Sequence, residues 1–238
     1  ADTPAMAAAA KAARIAVTTL YNTVDIATPG LPEGFEAAIA GLKGQGTILW
    51  LSLTAKGMKN SAPEGDALAV ALLQRIADRA AEAGLSVAIY PHVNTWLERV
   101  EDAVRVAKQI ERDNAGMTLN LYHWLREGHP ETRDAAIAMA LPWLKAVTIN
   151  GTDPEASIVT LDQGRYPVSE FVEAVVNAGY TGPIGLQGYG IGGQQIAQCS
   201  QQTAQTFALG QVLGQIGDQR ADGVENVRCC HNDIGWCQ

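Results

Sequence analysis

The chain has 238 residues, 47% of them apolar and 18% charged, which is enough to bury a sizeable core as one domain and too apolar for a disordered chain. Its net charge of −8 comes without any long basic run, which excludes the electrostatic footprint of a nucleic-acid or anionic-membrane binder and favours a neutral or cationic small ligand. No apolar stretch approaches the ~20 residues that a bilayer crossing needs.

The predicted elements alternate along the chain. A helix over Pro4–Ala13 precedes a β-branched run, Ile15–Val24. A helix over Gly34–Leu42 leads to the strand Thr47–Thr54. Gly65-Asp66 then opens a helix over Ala67–Ala83, in which Leu68, Leu72, Ile76 and Ala80 recur every four residues until Gly84 stops it. After the strand Leu85–Tyr90, Trp96, Val100, Ala103, Val104, Ala107 and Ile110 form a second helical stripe. The strand Met117–Tyr122, a helix over Glu131–Ala140 and the strands Leu144–Ile149 and Ser157–Leu161 follow. Phe171, Val172, Val175 and Val176 mark a helix ended by Gly179, the strand Pro183–Gln187 comes next, and Gln194–Leu213 reads as helix.

Strands that alternate with helices in this way form βαβ units on a parallel sheet. The fold class is therefore α/β, a (β/α) TIM barrel. Such a barrel needs eight strands and seven are counted here; the series opens on the helix Pro4–Ala13, so the first strand is the expected absentee, and either the barrel is open beside Ile15–Val24 or the carboxyl tail or a second subunit covers that gap. An uncovered edge beside Ile15–Val24 would invite self-association, which makes a homodimer the expected assembly. No linker interrupts the series, so residues 1–213 read as the barrel and 214–238 as an irregular extension. Cys229, Cys230 and Cys237 crowd into that extension with Cys199 alone before it, which is no disulfide scaffold and leans the compartment toward the cytoplasm. Their spacing also lacks the paired CxxC pattern of a zinc site.

In this architecture the chemistry gathers where strands end. The closing residues are Tyr21 and Asp25, Lys56, Tyr90-Pro91-His92, Asn120-Leu121-Tyr122-His123-Trp124, Asn150-Gly151-Thr152-Asp153, Asp162-Gln163-Gly164 and Gln187-Gly188-Tyr189-Gly190. His92 and His123 suit acid/base work because imidazole titrates near neutral pH. Asp162 and Asp153 are the carboxylates best placed to serve as a base, with Asp25 behind them; their alternative role is to cap helices and bind loop amides. Tyr90, Trp124 and Tyr189 offer faces for a sugar ring, whereas Trp96 reads as packing. Asn120, Asn150, Gln163 and Gln187 offer neutral hydrogen bonds. The glycines of Gly190-x-Gly192-Gly193 could present amides to a phosphate, but no full phosphate fingerprint accompanies them.

Four segments, Val87-Ala-Ile-Tyr-Pro-His92, Gly116-Met-Thr-Leu-Asn-Leu-Tyr-His-Trp124, Leu161-Asp-Gln-Gly164 and Phe171-Val-Glu-Ala-Val-Val-Asn-Ala-Gly-Tyr-Thr-Gly-Pro-Ile-Gly-Leu-Gln187, resemble the sugar phosphate isomerase/epimerase superfamily, with its xylose isomerase-like barrel. The resemblance runs from about Ile15 to Gly193. It implies an enzyme that acts on a sugar or sugar derivative by proton abstraction next to a carbonyl. It also implies a divalent metal, manganese, magnesium, cobalt or zinc, held by Glu, Asp, His and Glu at four strand ends. Those positions are Tyr90, Asn120, Thr148 and Gln187 here, none of them a carboxylate or imidazole, which removes the charge that holds a hard cation. His92 and His123 match the family's accompanying histidines and are the remaining candidates for a metal. The competing readings are a carbohydrate hydrolase or lyase using two of Asp25, Asp153 and Asp162, and a non-catalytic sugar-binding protein.

Overall fold

A computed structural model describes residues 3–28, 30–31, 34–127, 129–153 and 157–191, which divide into two compact units. One comprises the chain through Leu119 together with Pro142–Lys145; the other comprises Asn120–Leu141 and the chain from Ala146. The sequence-predicted helix Gln194–Leu213, the extension 214–238, all four cysteines and Gly192-Gly193 lie outside the described residues.

The first unit opens with α1 (Thr3–Ala12), β1 (Thr19–Asp25), α2 (Phe35–Leu42) and β2 (Ile48–Thr54). It continues with α3 (Asp66–Glu82), β3 (Ser86–Ile89), α4 (Val100–Ile110) and β4 (Ala115–Asn120), whose last residue belongs to the second unit. β1, β2, β3 and β4 pair in parallel in chain order. Among the described residues β1 pairs with β2 alone. The strand begins at Thr19 rather than Ile15; Val17 ahead of it offers its carbonyl to the Thr47 hydroxyl at 2.6 Å.

Both sheet faces are buried, as expected where helices cover a parallel sheet. The register puts Leu49, Leu51, Leu53, Val87, Ile89, Met117 and Leu119 on one face, all essentially without exposure. The α3 stripe is Ala69, Leu72, Leu73, Ile76, Ala77 and Ala80, shifted from the predicted one because Leu68 is 45% exposed. At α3's end the Leu85 amide reaches the Ala80 carbonyl at 2.9 Å and Gly84 takes φ +71°, a left-handed stop that only glycine adopts without strain.

α4 is held to the start of α3 by charge. Asp102, fully enclosed, accepts from Arg99 at 3.0 Å, from Ser61 and from Arg105, and Arg105 also forks onto Asp66 at 2.8 and 3.1 Å. Burial pushes the Asp102 carboxyl up, but these donors outweigh it and hold the group below the ordinary carboxylate range. Trp96 precedes α4 rather than belonging to it. Its indole Nε1 donates to the Ala62 carbonyl at 3.1 Å, and its ring lies so close to Gly65 that a Cβ there would come within 2.6 Å of it.

The second unit contains α5 (Leu121–Arg126), α6 (Arg133–Ala140), most of β5 (Leu144–Ile149), β6 (Gly151–Thr152), β7 (Ile158–Val159), α7 (Val168–Asn177) and β8 (Ile184–Leu186). β5 and β8 pair in parallel. α7 ends as α3 does, with Gly179 at φ +99° and the Tyr180 amide on the Val175 carbonyl at 3.3 Å.

Two sequence readings are corrected in this unit. The run Ser157–Leu161 is not a strand of the main sheet: Ile158–Val159 turns back in antiparallel fashion on Gly151–Thr152 as a separate hairpin. A parallel crossover takes a dozen or more residues, and the few between Ile149 and Ser157 cannot supply one. The run Met117–Tyr122 stops at Asn120, whose side chain caps the helix that starts at Leu121.

Candidate functional site

In the first unit the register builds an aromatic and hydroxylic face opposite the leucines. Trp50, Ala88 and Gly116 share one row across β2, β3 and β4. The ladder continues through the Tyr90 amide on the Leu51 carbonyl at 2.9 Å, so the next row is Ser52, Tyr90 and Thr118. Tyr90 is buried, stacked on Trp50 at 5.3 Å and met edge-on by Tyr21 at 5.5 Å. Trp50 Nε1, Ser52 Oγ and Thr118 Oγ1 are buried without a hydrogen-bond partner. Such unmatched groups are uncommon inside proteins, and ordered water or a polar ligand commonly satisfies them. Neither Trp50 nor Ser52 was singled out from the sequence; their alternation on the run Thr47–Thr54 was the signal available.

His92 lies just past β3, its ring 6.1 Å from that of Tyr90 and 6.4 Å from that of Tyr21. Its Nδ1 stands 2.7 Å from the Val93 carbonyl. A carbonyl only accepts, so Nδ1 carries the proton and Nε2 carries the basic lone pair. Burial pushes the pKa of His92 below the ordinary histidine value, against the smaller opposing pulls of that carbonyl and of Glu98. Asp25 accepts the Ala27 amide at 2.9 Å, the turn-capping role.

In the second unit three of the four family ligand positions meet. Asn120 donates through Nδ2 to Thr148 Oγ1 at 2.7 Å and to Gln187 Oε1. The Asn120 Oδ1 accepts the His123 backbone amide at 2.8 Å. An amide N–H can only donate, so it fixes which end of the Asn120 side chain is oxygen, and Nδ2 must then face Thr148 and Gln187. All three side chains are buried. The fourth position, Tyr90, belongs to the first unit.

Among the other second-unit candidates, His123 is buried with its ring edge-on to Tyr122 at 5.1 Å. Trp124 is 2% exposed, its indole 5.8 Å from Phe171 and 6.3 Å from Tyr166, so its faces serve the packing of α5 on α7. Asn150 is fully buried and donates to the Gly151 carbonyl at 2.8 Å. Asp153 accepts the Ser157 amide at 3.2 Å. Asp162 and Gln163 lie exposed in a turn after the hairpin, and Tyr189 is 67% exposed.

The family model for the xylose isomerase-like TIM barrel matches residues 36–201. The chain belongs to this family. Solved structures share the family fold. The IolI protein with a bound zinc atom is 16% identical, covers 92% of this chain and 84% of its own, and has a TM-score of 0.63. D-allulose 3-epimerase from Methylomonas sp., in complex with D-allulose, is 18% identical over 78% of this chain and 68% of its own, with a TM-score of 0.60. 3-Keto-D-glucoside 4-epimerase from E. coli is 17% identical over 78% of this chain and 76% of its own, with a TM-score of 0.59. At these identities the likeness is one of fold. No curated protein matches the chain.

The zinc-bound family fold poses the question of whether these residues could hold a divalent cation. They do not fit one. Asn120 turns the positive end of its amide toward Thr148 and Gln187, and no carboxylate stands at any of the family positions. Among the described residues no group of three or more His, Cys, Asp or Glu could hold an ion, so neither His92 nor His123 is part of one. No described helix is long and apolar enough to cross a membrane.

Proposed function

We propose that the chain is a carbohydrate isomerase or epimerase that moves a proton next to a carbonyl, with His92 as the base. The observation that carries this reading is the Nδ1 contact with the Val93 carbonyl at 2.7 Å, which makes Nε2 the basic nitrogen whenever the ring is neutral. Burial keeps that ring uncharged at neutral pH. Nε2 takes the proton from the carbon beside the ketone, and the C–H pair moves into the C–C bond while the carbonyl oxygen gains the charge. Return of the proton to the other face gives the epimer; return to the neighbouring carbon, with a hydroxyl proton transferred, gives the isomer. Tyr21, 37% exposed and backed by the buried Tyr90, offers an aromatic face to the C–H side of a sugar, and the unmatched donors Ser52, Thr118 and Trp50 suit hydroxyl or enediolate oxygens.

A second reading is a sugar-binding protein without turnover. It is favoured by the neutral Asn120–Thr148–Gln187 network, which supplies hydrogen bonds but no strong electrophile.

Proton NMR in D2O separates the two, by following loss of the signal next to the carbonyl in a panel of ketoses headed by D-allulose. Wild type is expected to wash deuterium into at least one of them, and His92→Gln to do so at least ~100-fold more slowly with affinity retained. Binding without exchange in the wild type would replace the enzyme reading by the binding one.

A further inference from the structure

The hairpin that replaces a predicted strand brings two unmatched polar atoms together. Its register pairs Gly151 with Val159 and Thr152 with Ile158, and the same register extended one step past the ladder sets Asn150 opposite Thr160. The approach is close: a Cβ on Gly151 would lie 1.9 Å from the Thr160 carbonyl oxygen, so only glycine fits there. Asn150 is fully buried and Thr160 is 8% exposed. The Asn150 amide nitrogen is committed to the Gly151 carbonyl, which fixes Oδ1 as the other end of the side chain. That Oδ1 and the Thr160 Oγ1 are both buried without a hydrogen-bond partner.

We propose that Asn150 Oδ1 and Thr160 Oγ1 form a subsite for one hydroxyl group of the carbohydrate, a proposal that rests on the carbohydrate reading above. The chemistry is specific. Asn150 Oδ1 only accepts, and Thr160 can donate, so a group that donates one hydrogen and accepts another satisfies both at once. An alcohol does this. A carboxylate or phosphate oxygen would face Asn150 Oδ1 with no hydrogen to give, and an ammonium would leave the Thr160 hydrogen without an acceptor. Asn150 lies two residues after Thr148, just past the end of β5, so the subsite belongs to the same unit as the Asn120–Thr148–Gln187 network. The subsite thus serves to recognise a neutral polyol by its stereochemistry.

The test is calorimetric binding of the best-bound ketose of the panel and of its monodeoxy analogues to wild type, Thr160→Val and Thr160→Ser. Wild type is expected to lose about fivefold in affinity for one analogue, the worth of a neutral hydrogen bond. Thr160→Val keeps the side-chain shape and is expected to bind that analogue and the parent alike, while Thr160→Ser restores the difference. Equal deoxy profiles for wild type and Thr160→Val, with the parent sugar still bound, would overturn the subsite alone. Absence of binding of any ketose to wild type would overturn the carbohydrate reading and the subsite with it.

Discussion

Asn120 donates its side-chain amide to the side-chain carbonyl of Gln187, 67 residues further along the chain. The direction of that bond is set locally, because the His123 backbone amide already occupies the Asn120 oxygen. Two positions that hold carboxylates in the metal-dependent pattern thus satisfy each other, with Thr148 as the third member.

This arrangement predicts indifference to metal. Protein purified without chelator is expected to carry no stoichiometric divalent ion by elemental analysis, and EDTA is expected to leave its melting temperature unchanged. Asn120→Asp alone should destabilise by about 2 kcal/mol in urea titration, since a carboxylate would face the Gln187 carbonyl and abandon two acceptors. Adding Thr148→His and Gln187→Glu should create a protein whose melting temperature rises with manganese or zinc. One tightly bound ion in the wild type would refute the first expectation.

The second prediction concerns pH. His92 works as a base only when deprotonated, so kcat/KM should fall toward acid, and burial places that limb below the ordinary histidine value of about 6.5. The same shift has a sign for stability. The unfolded chain takes up this proton at a higher pH than the folded one, so the contribution is complete above the unfolded value and is lost as pH falls through it and on to the folded value. His92→Gln should lose both the rate and this part of the acid sensitivity. An activity limb lying well above pH 7 would point to a different base.

Trp124 separates packing from recognition. With its faces against Phe171 and Tyr166, Trp124→Ala should cost about 4 kcal/mol of stability. Trp124→Phe should fold and bind sugar as wild type does, measured by calorimetry on the folded fraction. A variant of full stability with tenfold weaker sugar binding would instead make the indole a ligand platform.

The alternation of runs and stripes along the chain was enough to reveal six parallel strands and the helices between them, because side-chain periodicity is a local property imposed by one buried face. Gly84 and Gly179 likewise announced where two helices stop, since only glycine enters the left-handed region without strain. The strand ends holding Tyr90, His92, Asn120 and Gln187 were legible for the same reason. What could not be read locally was pairing. Ile158–Val159 has the composition of a sheet strand, yet its partner is Gly151–Thr152, and Thr160 gained its interest only through that register. The polarity of Asn120 toward Thr148 and Gln187, and the enclosure of Trp124, were also decided by tertiary structure, because hydrogen-bond direction and burial depend on neighbours distant in sequence.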